Sequence, residues 1–328
     1  MTDDGGDAAE YAASGVEIPP EYREREYVET HRPLWRRFVA GVRTDWLRTL
    51  SAGFILGVIV VAIFAPEIAP HDPDATFGLF QEPNTYSEMD YDYDGTVERT
   101  WHPLGTDSYG HDILSRIIFG TRVSLLVALA TVSFAFVVGT TIGLLAGFYG
   151  GWIDSLLMRY IDFQWAFPEI VLAIAIIAFS GGIGVWNVII AIGIAYVDDF
   201  ARLVRGEVLW IREEEYIKAA RSIGMPDRRI MSREILPMSI GPIVVQATVL
   251  LPLAILWEAS LSFLGLGVKP TTPTWGLLIA DGRDFIVEAW WIAMMPGLAI
   301  MFTVLAFNII GDGLRDAFDV HEGEGIER

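Results

Sequence analysis

The chain has 328 residues, 52% of them hydrophobic, no cysteine and a net charge of −19. Without cysteine there can be no disulfide, Cys-ligated zinc, iron–sulfur cluster or thiol catalysis, and strong acidity is the wrong sign for nucleic-acid binding. A positive mean hydropathy over this length implies several membrane spans rather than one large soluble core.

Residues 1–30 are polar and acidic, with no apolar run that reads as a secretory signal. A spanning helix needs ~20 largely apolar residues, because the hydrocarbon core is ~30 Å thick and each residue rises ~1.5 Å. Six stretches qualify or come close. The first covers 50–68 and ends before Pro70; the second covers 123–148 and is uncharged. The third covers 163–180 with Pro168 near its start, and the fourth covers 185–201 with Asp198 and Asp199 near its end. The last two cover 240–266 and 290–310. With both termini in the cytoplasm, only Arg99, Arg116, Arg122, Lys269 and Arg283 of the 23 basic residues fall outside. The positive-inside rule therefore predicts that orientation, which an even number of spans also requires.

Residues 71–122 form a large external segment whose middle, 81–98, is acidic and Tyr-rich without helical or strand periodicity. It reads as an irregular cap, and its acids do not have the spacing of an EF-hand loop. The histidines show no metal-ligand spacing either. Gly139, Gly143 and Gly147 place small residues on one face of the second span, suited to close helix packing or to lining a pore. In the fifth span, Glu258 is a costly intramembrane charge that requires a partner or a wet cavity, and Ser260 and Ser262 lie beside it. Structural pairing and substrate contact are both open to it. Asp162, Glu169, Asp198 and Asp199 lie near membrane boundaries and read as solvated or paired structural acids.

The loop 202–237 between the fourth and fifth spans is amphipathic. Over 213–223, Tyr216, Ala219, Ala220 and Ile223 recur at helical spacing, with Glu214 four residues before Lys218. Gly224 and Pro226 stop that helix; Asp227 then caps a second one over 228–236, which Pro237 closes. The result is a helix–turn–helix hairpin on the cytoplasmic face. The run Glu215-Tyr216-Ile217-Lys218-Ala219-Ala220-Arg221-Ser222-Ile223-Gly224-Met225, ending at Leu236-Pro237, resembles the EAA loop of ABC importer permeases, with Lys218 where Glu is usual. Three further stretches resemble the C-type permease of dipeptide, oligopeptide and nickel importers. They are the segment from His102-Pro103-Leu104-Gly105-Thr106-Asp107 to Arg116, the run 258–267 with Pro273-Thr274-Trp275-Gly276, and Gly311-Asp312-Gly313-Leu314-Arg315-Asp316.

This resemblance implies an all-α integral membrane protein with the six-helix type I (MetI-like) permease fold and a cytoplasmic coupling-helix hairpin. It divides the chain into a tail at 1–48, a first helix with external loop at 49–118, the permease domain at 119–318 and a tail at 319–328. Its implied partners are a homologous B-type permease subunit, two ABC ATPase subunits, an external substrate-binding protein and the lipid bilayer. It implies no catalytic residue, no cofactor and no resident metal. Neither lysine sits in Gly-Lys-Ser/Thr, so the chain carries no phosphate-binding P-loop of its own. Coupling residues under this reading are Glu215, Tyr216, Ala219, Ala220, Arg221, Gly224, Met225, Leu236 and Pro237. Peptides are the expected cargo, with nickel or another small solute as the alternative. An ion-coupled secondary transporter needs intramembrane acids and repeated halves, and no internal repeat is visible; a membrane enzyme needs an acid or His cluster at ligand spacing. Acidity with only Lys218 and Lys269 as lysines also resembles proteins of halophilic archaea, where concentrated salt screens self-repulsion.

Overall fold

A computed structural model describes residues 45–89 and 98–319. The N-terminal tail with its arginines, the acidic centre of the external loop and the C-terminal tail lie outside the described residues.

Asp45 starts the first helix by accepting a hydrogen bond from the Leu47 N–H at 2.9 Å. This helix, α1 (Trp46–Ile63), turns most of its apolar surface outward, as a lipid-facing span does, and Arg48 ties its N-terminal end to Asp316. A short α2 (Ala65–Ile68) follows. The external lobe departs from the expected irregular cap: β1 (Thr85–Met89) and β2 (Glu98–His102) pair antiparallel. Their outer face supplies the reason. Tyr86 lies opposite Trp101, Arg99 meets Glu88 at 3.3 Å, and its guanidinium covers the Tyr86 ring at 4.6 Å.

Asp112 opens α3 (Ile113–Tyr149) by accepting from the Ser115 N–H at 2.8 Å, and Gly150 ends it at φ +65°. At 37 residues and ~1.5 Å per residue, α3 is about 55 Å long and overshoots the bilayer. After α4 (Gly151–Trp165) the chain turns by 95° into α5 (Glu169–Phe179). Pro168 stands at the turn, where its missing N–H and the restriction on the residue before it prevent a continuous helix. The expected third span is thus the second limb of a broken pair.

The expected fourth span is shorter still. α6 (Val185–Ala195) has 11 residues, about 16 Å, before the chain bends at Tyr196 into α7 (Val197–Ile211). Among the described residues four helices are long and apolar enough to cross a membrane, or five when α4 and α5 count as one; the expected third and fourth spans are built from shorter helices. Asp198 and Asp199 stand directly after the bend, and Gln164 donates to the buried Asp198 carboxylate at 3.3 Å.

After α7, α8 (Glu215–Ser222) and α9 (Asp227–Ile230) form the hairpin. Pro237 does not close it. The backbone widens into a π-helical turn, Met231–Ile235, and runs on as α10 (Leu236–Phe263), making one helical path over Asp227–Phe263. Proline lacks an N–H and crowds the carbonyl four residues back, and the wider turn accommodates both defects without breaking the helix. Pro226, not Asp227, occupies the cap position, with Asp227 in the first turn beside the positive helix end. After α10 comes α11 (Trp275–Gly282), capped by Thr274, and then the long α12 (Trp291–Asp319). The main core lies where α3, α6, α7 and α10 meet, around Val127, Ile192, Phe200, Val204, Ile243 and Ile255.

Candidate functional site

The glycine ladder fixes the centre of the molecule. A Cβ added at Gly139 would sit 2.5 Å from the Phe200 Cβ, and one at Gly143 would sit 2.5 Å from the Ala201 carbonyl oxygen. At Gly147 it would lie 2.8 Å from the Val208 Cβ. These glycines let α3 and α7 approach backbone to backbone, which makes α7 an extension of the core toward the hairpin. Arg205 reinforces the same unit by gripping Asp154 of α4 with two hydrogen bonds of 2.6 and 2.7 Å. Arg212 donates to the Gly147 carbonyl at 2.7 Å, and Arg202 meets Asp162 at 3.0 Å.

The hairpin sits at the end of this unit. The Gly224 N–H donates to the Arg221 carbonyl at 3.0 Å and the Met225 N–H to the Ala220 carbonyl at 3.1 Å, the two bonds of a Schellman cap. Gly224 accordingly has φ +79°, and open space surrounds it. Ile217, Ala220, Ile230 and Ile235 are buried beneath the hairpin, and Arg221 lies over the Phe148 ring at 5.0 Å. Ala220 therefore faces inward, contrary to the expected single stripe. Tyr216, Ala219 and Ile223 face out, with Tyr216 41% and Ile223 79% exposed. Glu215 is exposed, Met225 and Leu236 are half-buried, and Pro237 is exposed at the start of α10. Lys218 reaches Glu213 at 3.7 Å rather than Glu214.

Near the other end of α10, Glu258 is fully buried. It accepts from Ser262 at 2.7 Å and from Ser124 at 3.4 Å, and Thr274 adds a further hydrogen bond. Ser124 also accepts from the Trp275 N–H at 3.3 Å. The glutamate thus joins α3, α10 and α11 through hydroxyls, with protein on every side, a structural pairing more than a surface for cargo. Ser260 points elsewhere, donating to the Leu256 carbonyl at 2.7 Å beside a 440 Å³ groove. A second cavity of about 590 Å³ opens at the C-terminal end of α10 between Ser108, Tyr109, Phe263, Asp281 and Arg283. Burial raises the Asp281 carboxyl above its ordinary range, with the Asp107 charge adding to it, although Arg116 and His111 act the other way.

The external lobe holds a grouping that sequence spacing does not reveal. His71, His102 and Asp112 come from three separate stretches, yet a ring nitrogen of each histidine and a carboxylate oxygen lie within 4.8 Å of one another. Only the hairpin register and the start of α3 bring them together.

Long apolar helices, a glycine-packed central pair and an exposed hairpin at one end define a multi-pass membrane permease. The family of binding-protein-dependent transport system inner membrane components matches residues 139–321, and the chain belongs to that family. It is 42% identical over 300 residues to the glutathione transport system permease protein GsiD of Pectobacterium atrosepticum, covering 92% of this chain and 94% of the relative. It is 44% identical over 285 residues to the dipeptide transport system permease protein DppC of Alkalihalophilus pseudofirmus, covering 87% and 89%. An inward-facing structure of the MetNI methionine ABC transporter shares the fold, with a TM-score of 0.53 at 20% identity over 62% of this chain and 97% of that one. The chain is therefore a permease subunit of an ABC importer, with transport rather than catalysis as its work.

Proposed function

We propose that this chain moves short peptides inward across the cell membrane, pairing with a homologous permease and docking two ATPase subunits on Glu213–Leu236, with an external binding protein delivering cargo. The relatives named for glutathione and dipeptide transport support the cargo class. The observation that carries the coupling role is the exposed stripe of Tyr216, Ala219 and Ile223 on a hairpin whose other face is buried. Such a stripe offers an apolar surface that a partner can cover. Closure of the ATPases on ATP would push this hairpin, and the tight α3–α7 packing would pass the push to the spans. The distribution of basic residues supports both termini lying in the cytoplasm.

The test is substrate-stimulated ATP hydrolysis and uptake by the complete transporter in vesicles. Ala219→Glu and Ile223→Asp should leave the melting temperature unchanged and abolish stimulation, because they place charge only on the outward stripe. Gly224→Val should also uncouple, since a side chain at φ +79° is strained by about 1 kcal/mol or more and thickens the turn. Transport at the wild-type rate in all three would remove the hairpin from the coupling path. Orientation has its own check: a cysteine introduced at Ser222 should resist an impermeant thiol reagent in intact cells, and labelling from outside would invert the topology.

A further inference from the structure

We propose that His71, His102 and Asp112 form a zinc site that staples the external lobe to the outer ends of the first two spans. His71 lies just beyond α2, His102 ends β2, and Asp112 is the N-cap of α3. Their candidate ligand atoms lie within 4.8 Å of one another, and the His102 Nδ1 and Asp112 Oδ1 are 2.9 Å apart. Zinc takes imidazole nitrogen at ~2.0–2.1 Å and carboxylate oxygen at ~2.0–2.2 Å, so its ligand atoms are separated by roughly 3.3 Å in a tetrahedral site. Small shifts from the observed positions reach that spacing.

The surroundings have the polarity that metal ligands need. The His71 Nε2 contacts the Trp101 carbonyl at 3.0 Å, and a carbonyl can only accept. The Nε2 therefore carries the proton, leaving the Nδ1 lone pair for a metal. The His102 Nε2 lies 2.9 Å from the Ser87 hydroxyl, which can accept from it once the metal holds the Nδ1. The second oxygen of Asp112 is held by the Ser115 N–H and hydroxyl, both at 2.8 Å. Ser115 also accepts from the His71 backbone N–H at 3.1 Å. Each ligand thus has an orienting partner, the arrangement that fixes ring orientation at metal sites. Phe77 packs on both rings, at 5.0 Å from His71 and 4.7 Å from His102, and shields the site from bulk water. His102 and Asp112 are buried, and half-buried His71 leaves one side open, so water completes the coordination. Two imidazoles and one carboxylate suit zinc better than calcium or magnesium, which prefer oxygen alone. Loading transfers the His102 proton from Nδ1 to Nε2 with no net release.

The experiment uses the intact transporter, purified without a histidine tag, dialysed against Zn²⁺ and then against metal-free buffer. Elemental analysis should find one zinc for each copy of this chain. Co²⁺ in its place should give the visible absorption of a tetrahedral site. Chelation should lower the melting temperature of the wild type and leave that of His71→Ala unchanged. His71→Ala and Asp112→Asn should lose the metal, and Ser87→Ala, which keeps all three ligands, should weaken Zn²⁺ binding about 10- to 100-fold. Wild-type protein without stoichiometric zinc overturns the proposal and leaves a hydrogen-bonded His–Asp pair. Zinc retained equally by His71→Ala and Asp112→Asn also overturns it.

Discussion

Gly143 shows how much a single position decides. A methyl group there meets the Ala201 carbonyl oxygen at 2.5 Å and the Arg205 backbone nitrogen at 3.0 Å, and neither is the end of a flexible side chain. The helices must separate to admit it, and overpacking of that kind costs about 1–3 kcal/mol. Gly206 on α7 has nothing within 4 Å, so a methyl there adds helix propensity worth about 1 kcal/mol or less. Gly143→Ala should therefore lower the melting temperature of the purified transporter and Gly206→Ala should hold or raise it; equal effects would mean that α3 and α7 are not in backbone contact. The four-residue spacing of Gly139, Gly143 and Gly147 was legible in the sequence, but the identity of the facing helix was not. Small-residue spacing shows that something approaches closely and says nothing of what. Glu258 is similar: its burial follows from the apolar run around it, whereas Ser124 and Thr274 are distant in sequence. The zinc ligands lie at the far limit, because His71, His102 and Asp112 share no period at all.

Elements were legible where their signals are local. The uncharged stretch 123–148, the helix stop at Gly224 and the long apolar run after Pro237 all read directly. The structure departs from the local reading where two local rules compete. Pro237 reads as a stop, yet the π-helical turn Met231–Ile235 carries the helix through it. The apolar stretches 163–180 and 185–201 read as complete spans, yet Pro168 and the acids after Tyr196 divide them into short limbs. Short limbs need anchoring at the interface, and the Arg205–Asp154 pair supplies it between α4 and α7. The pair is bidentate and part-buried, so its hydrogen bonds are charge-assisted and the planar guanidinium is geometrically matched to the carboxylate. Arg205→Ala should cost on the order of 1–2 kcal/mol and release α4, and Arg205→Lys should recover only part of that loss. Thermal unfolding, with limited proteolysis at residues 150–168, reads both effects. Full recovery by lysine would reduce the contact to a simple charge pair.

At the scale of the whole molecule charge is the dominant unbalanced quantity. The chain has 42 acidic residues against 23 basic ones, and only two of the latter are lysine. Salt acts on such a protein in opposite directions. It weakens exposed pairs such as Arg99–Glu88 and Arg202–Asp162, and it screens repulsion among the excess acids. Exposed pairs contribute only about 0–1 kcal/mol each, so their loss is small. Repulsion from an uncompensated charge of −19 is cut short when the screening length falls to ~3 Å at 1 M. The second effect should win, and the purified transporter should melt at a higher temperature in molar KCl than in dilute buffer. Sucrose at equal osmolality separates screening from general solute exclusion, because it favours compact states without carrying charge. A rise in KCl that sucrose does not reproduce supports adaptation to a saline interior; a melting temperature that stays flat or falls as KCl rises would remove the halophilic reading and leave the acidity as a local property of the external loop and tails.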